Sequence, residues 1–393
     1  MNRFDKKEVD AVQSVIKNGK YLSGFTTKFN GGEEVIKFEE EFAKFIGVKY
    51  ALSVNSGTSA LLIAYKTAMQ HGKNTKNKLL ANPICHMPAY TFTADPSAAL
   101  MVGAKIAFED IDKKSYCMMQ PKNRVPISVP TYLLGNAPDK WNFKKDDFTI
   151  EDCCQALGTK VNGKIVGSKG SMSVFSFQET KHITTLGEGG MICSNNKKFI
   201  DIASSIRNHA EYYKQKEYLG GNFRMIEAQA AFGRVQLSKI DSILKQLKNN
   251  AIKVIKKLPE CIEPPIISSK VDHSFLLIGC LFNEKKIGVS REEFLKKLTK
   301  NRIHILKGDE KSDIKGINMK SGKLISTGYS MPLYNIPMFK KFKPKGGCKN
   351  TEEIIGKSIW MDIHKFRTQD QISQELEILH DTVREFEKWI LMQ

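Results

Sequence analysis

The sequence predicts an α/β protein: a large domain on a mainly parallel sheet, followed by a smaller α+β domain. Three observations carry this. The 393 residues exceed what one hydrophobic core usually serves, so about two domains are expected. Over the first 200 residues, short apolar runs alternate with longer helical patterns, which is the signature of βα repetition. After about Met225 the pattern turns helical and lysine-rich, then changes character again.

Seven strands are expected in the large domain: Tyr50 to Val54, Lys78 to Ala81, Lys105 to Phe108, Pro126 to Val129, Phe148 to Glu151, Met172 to Phe177 and Gly190 to Ser194. Strands covered on both faces read as continuous apolar runs, as Ser173-Val174-Phe175-Ser176-Phe177 nearly does. Gln229, Phe232, Val235, Leu237, Ile240 and Leu244 then mark one long connecting helix. The large domain is drawn as residues 1–245 and the small one as 246–393. In the latter, His273 to Phe282 reads as a strand. Ser290 with Glu293, and Thr368 with Gln371, match capping boxes that open helices. Lys340 to Asn350 reads as a loop. The last helix aligns Ile372, Leu376, Leu379, Val383, Phe386 and Ile390 in one stripe, which should pack on the small sheet.

Composition narrows the function classes. Hydrophobic residues are 41% and charged residues 26%, a globular balance. No apolar stretch reaches the ~20 residues that span a bilayer, and the first residues lack a secretory core, so a soluble cytoplasmic protein is expected, without membrane association. The eight cysteines include no C-x-x-C pair, so they read as reduced thiols, mostly buried, with no metal assigned; adjacent Cys153 and Cys154 would face opposite sides of a strand. The formal charge of +19 is spread along the chain and not gathered on a recognisable nucleic-acid module, so no nucleic-acid partner is expected. A positive field would also attract an anionic small substrate.

Three segments carry chemistry. Ser56-Gly57-Thr58-Ser59-Ala60-Leu61 follows the first strand and opens a helix. It is either a phosphate cradle of free backbone N–H groups or a plain N-cap. Asp152, at the C-terminal end of the fifth strand, is either a cap of the next helix or the partner of a protonated ring nitrogen. Lys181 leaves an apolar strand and precedes the glycine turn Leu186-Gly187-Glu188-Gly189-Gly190. A surface lysine is the bland alternative, but Val174 to Phe177 are too apolar for an exposed hairpin. Beside a cationic ring and partly desolvated, this amine becomes a better nucleophile and base. Ser176 offers a hydroxyl to a phosphate, and His182 reads as a structural histidine. Phosphate cradle, ring counter-charge and Schiff-base lysine, in that order, specify pyridoxal 5'-phosphate (PLP) far better than any one alone.

With these motifs the sequence resembles the DegT/DnrJ/StrS family of sugar aminotransferases, over nearly the whole chain. The segment Phe38 to Gly47 looks like that family's helix leading into the first strand. The resemblance implies the fold-type-I PLP architecture and a homodimer with sites at its interface. It implies that Phe92, in Pro88 to Ala94, stacks on the cofactor ring, although a core phenylalanine is the alternative. It places Gln155 against the cofactor's phenolic oxygen. It gives Asn222, in Gly220 to Met225, a contact with the cofactor phosphate of the partner subunit. The implied reaction moves an amino group, from L-glutamate, to a nucleotide-linked keto-sugar, with Lys181 and Asp152 as catalytic groups. A sugar 3-dehydratase of the same family is the alternative, and the resemblance puts histidine in place of the lysine there. A PLP-binding regulator would need an added DNA-binding domain, for which the first fifty residues leave no room. Pro130 to Gly135 departs from the family's pattern, which often carries a histidine there, Cys153 and Cys154 replace small residues, and His304 to Ser326 matches no landmark.

Overall fold

The computed structural model describes residues 4–19, 21–23, 31–143, 147–210, 219–301, 305–306, 325–363 and 369–392. A seven-stranded sheet forms the large domain: β1 (Tyr50–Val54), β2 (Ile84–Pro88), β3 (Lys105–Glu109), β4 (Ile127–Ser128), β5 (Phe148–Asp152), β6 (Met172–Ser176) and β7 (Gly190–Ser194). Their spatial order is β1-β7-β6-β5-β4-β2-β3. All pairings are parallel except those of β7, which runs antiparallel to both β1 and β6. Helices α1 (Lys6–Asn18), α2 (Glu33–Ile46), α3 (Gly57–Asn74), α4 (Ala94–Met101) and α5 (Lys197–Arg207) belong to this layer. The apolar stripe of α2 (Val35, Phe38, Phe42, Ile46) is fully buried. Phe42 meets Phe175 edge-on at 5.1 Å, and Phe38 lies 5.4 Å from Phe177, so this helix fixes the strand that leads to Lys181. Gly47 ends α2 in the left-handed region, where a side chain is disfavoured.

Six of the seven expected strands form, and one does not. Lys78–Ala81 is a turn of helix, and the sheet is completed by β2, a few residues later. Asn77 explains the turn: its side-chain oxygen accepts from the N–H groups of Leu79 and Leu80 at 3.1 and 3.3 Å. The expected single connecting helix is two, α6 (Glu227–Ser238) and α7 (Ile240–Ile255), meeting at Lys239. Residue 245 therefore lies inside a helix.

Beyond α7, a second sheet of five strands has the order β8-β9-β12-β11-β10: β8 (Ile262–Glu263), β9 (Ile278–Phe282), β10 (Ile305–Leu306), β11 (Ile325–Ser326) and β12 (Ser358–Met361). The strand read over His273 to Phe282 is shorter, because Phe275 is left-handed (φ 51°) and the N–H groups of Ser274 and Leu276 donate to the carbonyls of Gly135 and Leu134. Ser290 and Glu293 form the expected capping box of α8 (Arg291–Lys300). Thr368, of the other expected box, lies outside the described residues. The final helix α9 (Gln369–Leu391) buries Ile372, Leu376, Leu379 and Val383 in one cluster with Phe282, Ile359 and Met361, and leaves Ile390 exposed. The loop expected over Lys340 to Asn350 is confined between a 3₁₀ helix (Pro337–Phe342) and a helix that starts at Lys349. Cys153 and Cys154 follow β5 instead of lying in it, and seven of the eight free cysteines are buried.

Candidate active site

The site forms where β1, β5 and β6 deliver their chain ends, the edge at which open α/β sheets place ligands. From β1 the chain turns at Ser56, which caps α3: its hydroxyl accepts the Ser59 N–H at 3.1 Å. Gly57 and Thr58 stand in the first turn, whose N–H groups have no partner within a helix. Gly57 is required by close approach. A Cβ there would lie 2.9 Å from the Ser176 Cβ and 3.2 Å from both the Ser176 Oγ and the Cys154 Sγ. Cradle, Ser176 and the turn after Asp152 are thus in direct contact.

Asp152 ends β5 almost fully buried, and its Oδ1 accepts the Cys154 N–H at 2.9 Å. The Cys154 thiol lies in the same turn and against Gly57. Burial first, then the Asp152 charge, pushes this thiol well above its ordinary range, so it stays neutral. Lys181 lies past β6 in a turn closed by its N–H to the Gln178 carbonyl, 2.9 Å. Burial lowers its ammonium from the ordinary lysine value; the charges of Cys154, Asp152 and Glu188 oppose this. Among the described residues its Nζ has no hydrogen-bond or ion-pair partner. An amine that holds its proton less tightly than an ordinary lysine, with the Asp152 carboxylate near it, is a better nucleophile for a carbonyl. These residues fit PLP.

The other expected residues take varied positions. Phe92 lies in the turn after β2 with 59% of its surface exposed, so it is not a core residue and its ring is free to stack. Gln155 is buried, with Oε1 accepting the Leu134 N–H at 3.0 Å and Nε2 donating to the Tyr329 hydroxyl at 3.2 Å. His182 is buried. Asn222 is exposed on a loop whose Phe223 carbonyl accepts the Asn55 N–H at 2.9 Å, beside the cradle. Sequence reasoning missed three neighbours. Tyr329 packs edge-on to Tyr90 and Trp360, at 5.3 and 5.1 Å. Tyr65 of α3 is fully buried, and Asp95 of α4 is buried and accepts the hydroxyl of Thr131, the residue that bridges to Asp152. A lone acid inside the apolar run Ala94 to Leu100 was the available signal for Asp95.

A mainly parallel seven-stranded sheet with one antiparallel strand is the architecture of fold-type-I PLP aminotransferases, and Gly57, Asp152 and Lys181 lie near its chain-end edge. The profile of the DegT/DnrJ/EryC1/StrS aminotransferase family matches residues 2–126 and 144–306, and the chain belongs to that family, whose enzymes use PLP. It is similar to UDP-4-amino-4,6-dideoxy-N-acetyl-beta-L-altrosamine transaminase of Campylobacter jejuni, 34% identical over 62% of this chain and 64% of that protein. It is also similar to GDP-4-keto-6-deoxy-D-mannose 3-dehydratase of Yersinia pseudotuberculosis, 28% identical over 96% of each. Among solved structures, an aminotransferase of Helicobacter pylori involved in the biosynthesis of pseudoaminic acid superimposes with a TM-score of 0.79 at 22% identity, over 97% of each chain. Among the described residues, no helix is long and apolar enough to cross a membrane.

Proposed function

We propose that this protein moves an amino group from L-glutamate to a nucleotide-linked keto-sugar, as a cytoplasmic homodimer with a large cofactor-binding domain and a small C-terminal domain. The observation that carries the reading is Lys181, whose amine burial pushes below the ordinary lysine value beside Asp152 and Cys154, the latter also meeting Gly57. PLP, when bound, supplies an electron sink for carbanion chemistry. The chain's own residues do the rest. The first turn of α3 and Ser176 bind the phosphate, and Asp152 holds a proton at the ring nitrogen. Phe92 covers the ring, and Gln155 faces the phenolic oxygen. Lys181 would hold the cofactor's carbonyl and would move a proton at the substrate carbon. General acid–base help of this kind is worth roughly 10²–10⁴-fold.

Two similar relatives, a transaminase and a 3-dehydratase, act on nucleotide-linked sugars, which supports the substrate class. The presence of Lys181 favours transfer over deoxygenation. The test is reconstitution with PLP, borohydride reduction and mass mapping, then a screen of UDP-, dTDP- and GDP-linked keto-sugars with glutamate. Reduction should fix the cofactor's mass on Lys181. Lys181→Ala should abolish both the adduct and amino-sugar formation, with kcat falling at least about 10²-fold. A deoxygenated product without nitrogen would establish the dehydratase instead.

A further inference from the structure

Asp95 lies in the first turn of α4 and is 1% exposed. Its Oδ2 accepts the hydroxyls of Thr91 at 2.8 Å and Thr131 at 3.3 Å. Its Oδ1 is buried, and no N–H or O–H of the described residues reaches it. Thr131, whose hydroxyl Asp95 accepts, forms a backbone bridge with Asp152, so the two buried acids share one pocket. Two like charges in such a site cannot both persist, and a proton on one of them allows a hydrogen bond between the two.

The surroundings decide which acid keeps the proton. Asp152 takes a backbone N–H from Cys154 and faces the Lys181 amine, both of which favour a carboxylate. Asp95 is offered only hydroxyls. Besides Lys181, which acts on Asp152, the titratable groups that feel the pair are Tyr65 from α3, Cys153 and Cys154 from the turn after β5, and Tyr329. Burial raises all four, so each stays neutral and none supplies a further cation.

We propose that Asp95 is an undissociated carboxylic acid that donates its proton to Asp152, and so acts as a positioning residue for the carboxylate that faces the cofactor ring. The proposal rests on the reading of Asp152 as the ring's partner and adds a second acid to that site. Burial first, and the Asp152 charge next, push the Asp95 carboxyl well above the usual carboxylate range, in keeping with this assignment. The bond fixes one Asp152 oxygen and draws off part of its charge. Its loss would leave Asp152 free to turn away from the ring.

Infrared difference spectra of wild type against Asp95→Asn test the proton directly, on full-length protein with PLP bound and again after its removal. The expected result is an undissociated-acid carbonyl band at neutral pH that disappears in the variant. A difference containing only carboxylate bands overturns the proposal. The amide of Asp95→Asn keeps an N–H donor for Asp152 and an oxygen for the two threonines. It should therefore hold PLP within about threefold of wild type, while Asp95→Ala loses about tenfold or more. Equal losses in the two variants, or none in Asp95→Ala, also overturn it. If Asp95→Ala does not fold, the infrared result and the Asp95→Asn affinity still decide. Failure of the PLP reading itself would appear separately, as wild-type protein that binds no PLP.

Discussion

Burial lowers the proton affinity of several bases in this fold, and for Lys181 and His273 the consequences differ. Lys181 gains nucleophilicity at a stability cost, because the unfolded chain keeps its lysine charged below about 10.4. His273 gains nothing catalytic. It is 5% exposed, stacks on Phe275 at 4.1 Å, and its Nδ1 accepts the Phe275 N–H at 2.8 Å, so it is held neutral, with burial moving it from 6.5 to about 3. Proton counts give the sign. Above 6.5 neither state is protonated at this site, whereas between 6.5 and 3 only the unfolded chain is. Folding stability should therefore fall as pH drops through that window, by about 1.4 kcal/mol per unit from this group alone. His273→Asn keeps an acceptor for Phe275 but does not titrate. Urea midpoints at pH 7 and pH 5 should separate less in the variant than in wild type. Equal separations would show that His273 does not carry the acid sensitivity.

At the scale of elements, the site depends on how closely the start of α3 approaches the end of β6. Gly57→Ala inserts a methyl 2.9 Å from the Ser176 Cβ, and something must move. Because the displaced groups are the proposed phosphate ligands, PLP affinity should fall about tenfold or more. Stability of the cofactor-free protein should fall by about 1–3 kcal/mol, the usual cost of forcing an extra methyl into a close contact. Reconstitution titrations and urea curves measure the two separately; unchanged PLP affinity would remove Gly57 from the cradle. The strand ends that carry this geometry were legible because β1, β6 and β7 are mostly apolar runs and β5 alternates Phe148 and Ile150 with polar residues up to Asp152. β2 was not, because His86 interrupts it, and only the fold shows that Glu109 of β3 meets that imidazole at 2.6 Å. The break between α6 and α7 was hidden for a similar reason: apolar periodicity continues through Lys239, whose ammonium is held by Asp5 and Glu8 of a distant segment. Ordered spacing singled out Gly57, Asp152 and Lys181 as candidates. Asp95, Tyr65 and Tyr329 join them only by tertiary packing, from elements whose local pattern says nothing of a ligand.

For the whole molecule, the remaining question is whether one chain makes a complete site. The Asn222 loop adjoins its own subunit's cradle through the Asn55 N–H to Phe223 carbonyl bond, yet Asn222 itself is exposed and the family resemblance sends it to the partner. A two-fold dimer is isologous, so a loop reaching across would serve the partner's site on both sides. Mixed dimers separate the possibilities. Lys181→Ala lacks the amine, and Asn222→Ala lacks the proposed phosphate ligand; each should be weakly active alone. In a heterodimer of the two, crossed service places the intact Lys181 of one subunit beside the intact Asn222 of the other and restores one site. Random reassembly of equal amounts makes half the dimers mixed, so about a quarter of wild-type activity should return. If Asn222 serves only its own subunit, every site in the mixture keeps one defect and activity stays at the level of the parents. The same mixture, sized by ultracentrifugation, also reports whether the active species is the dimer.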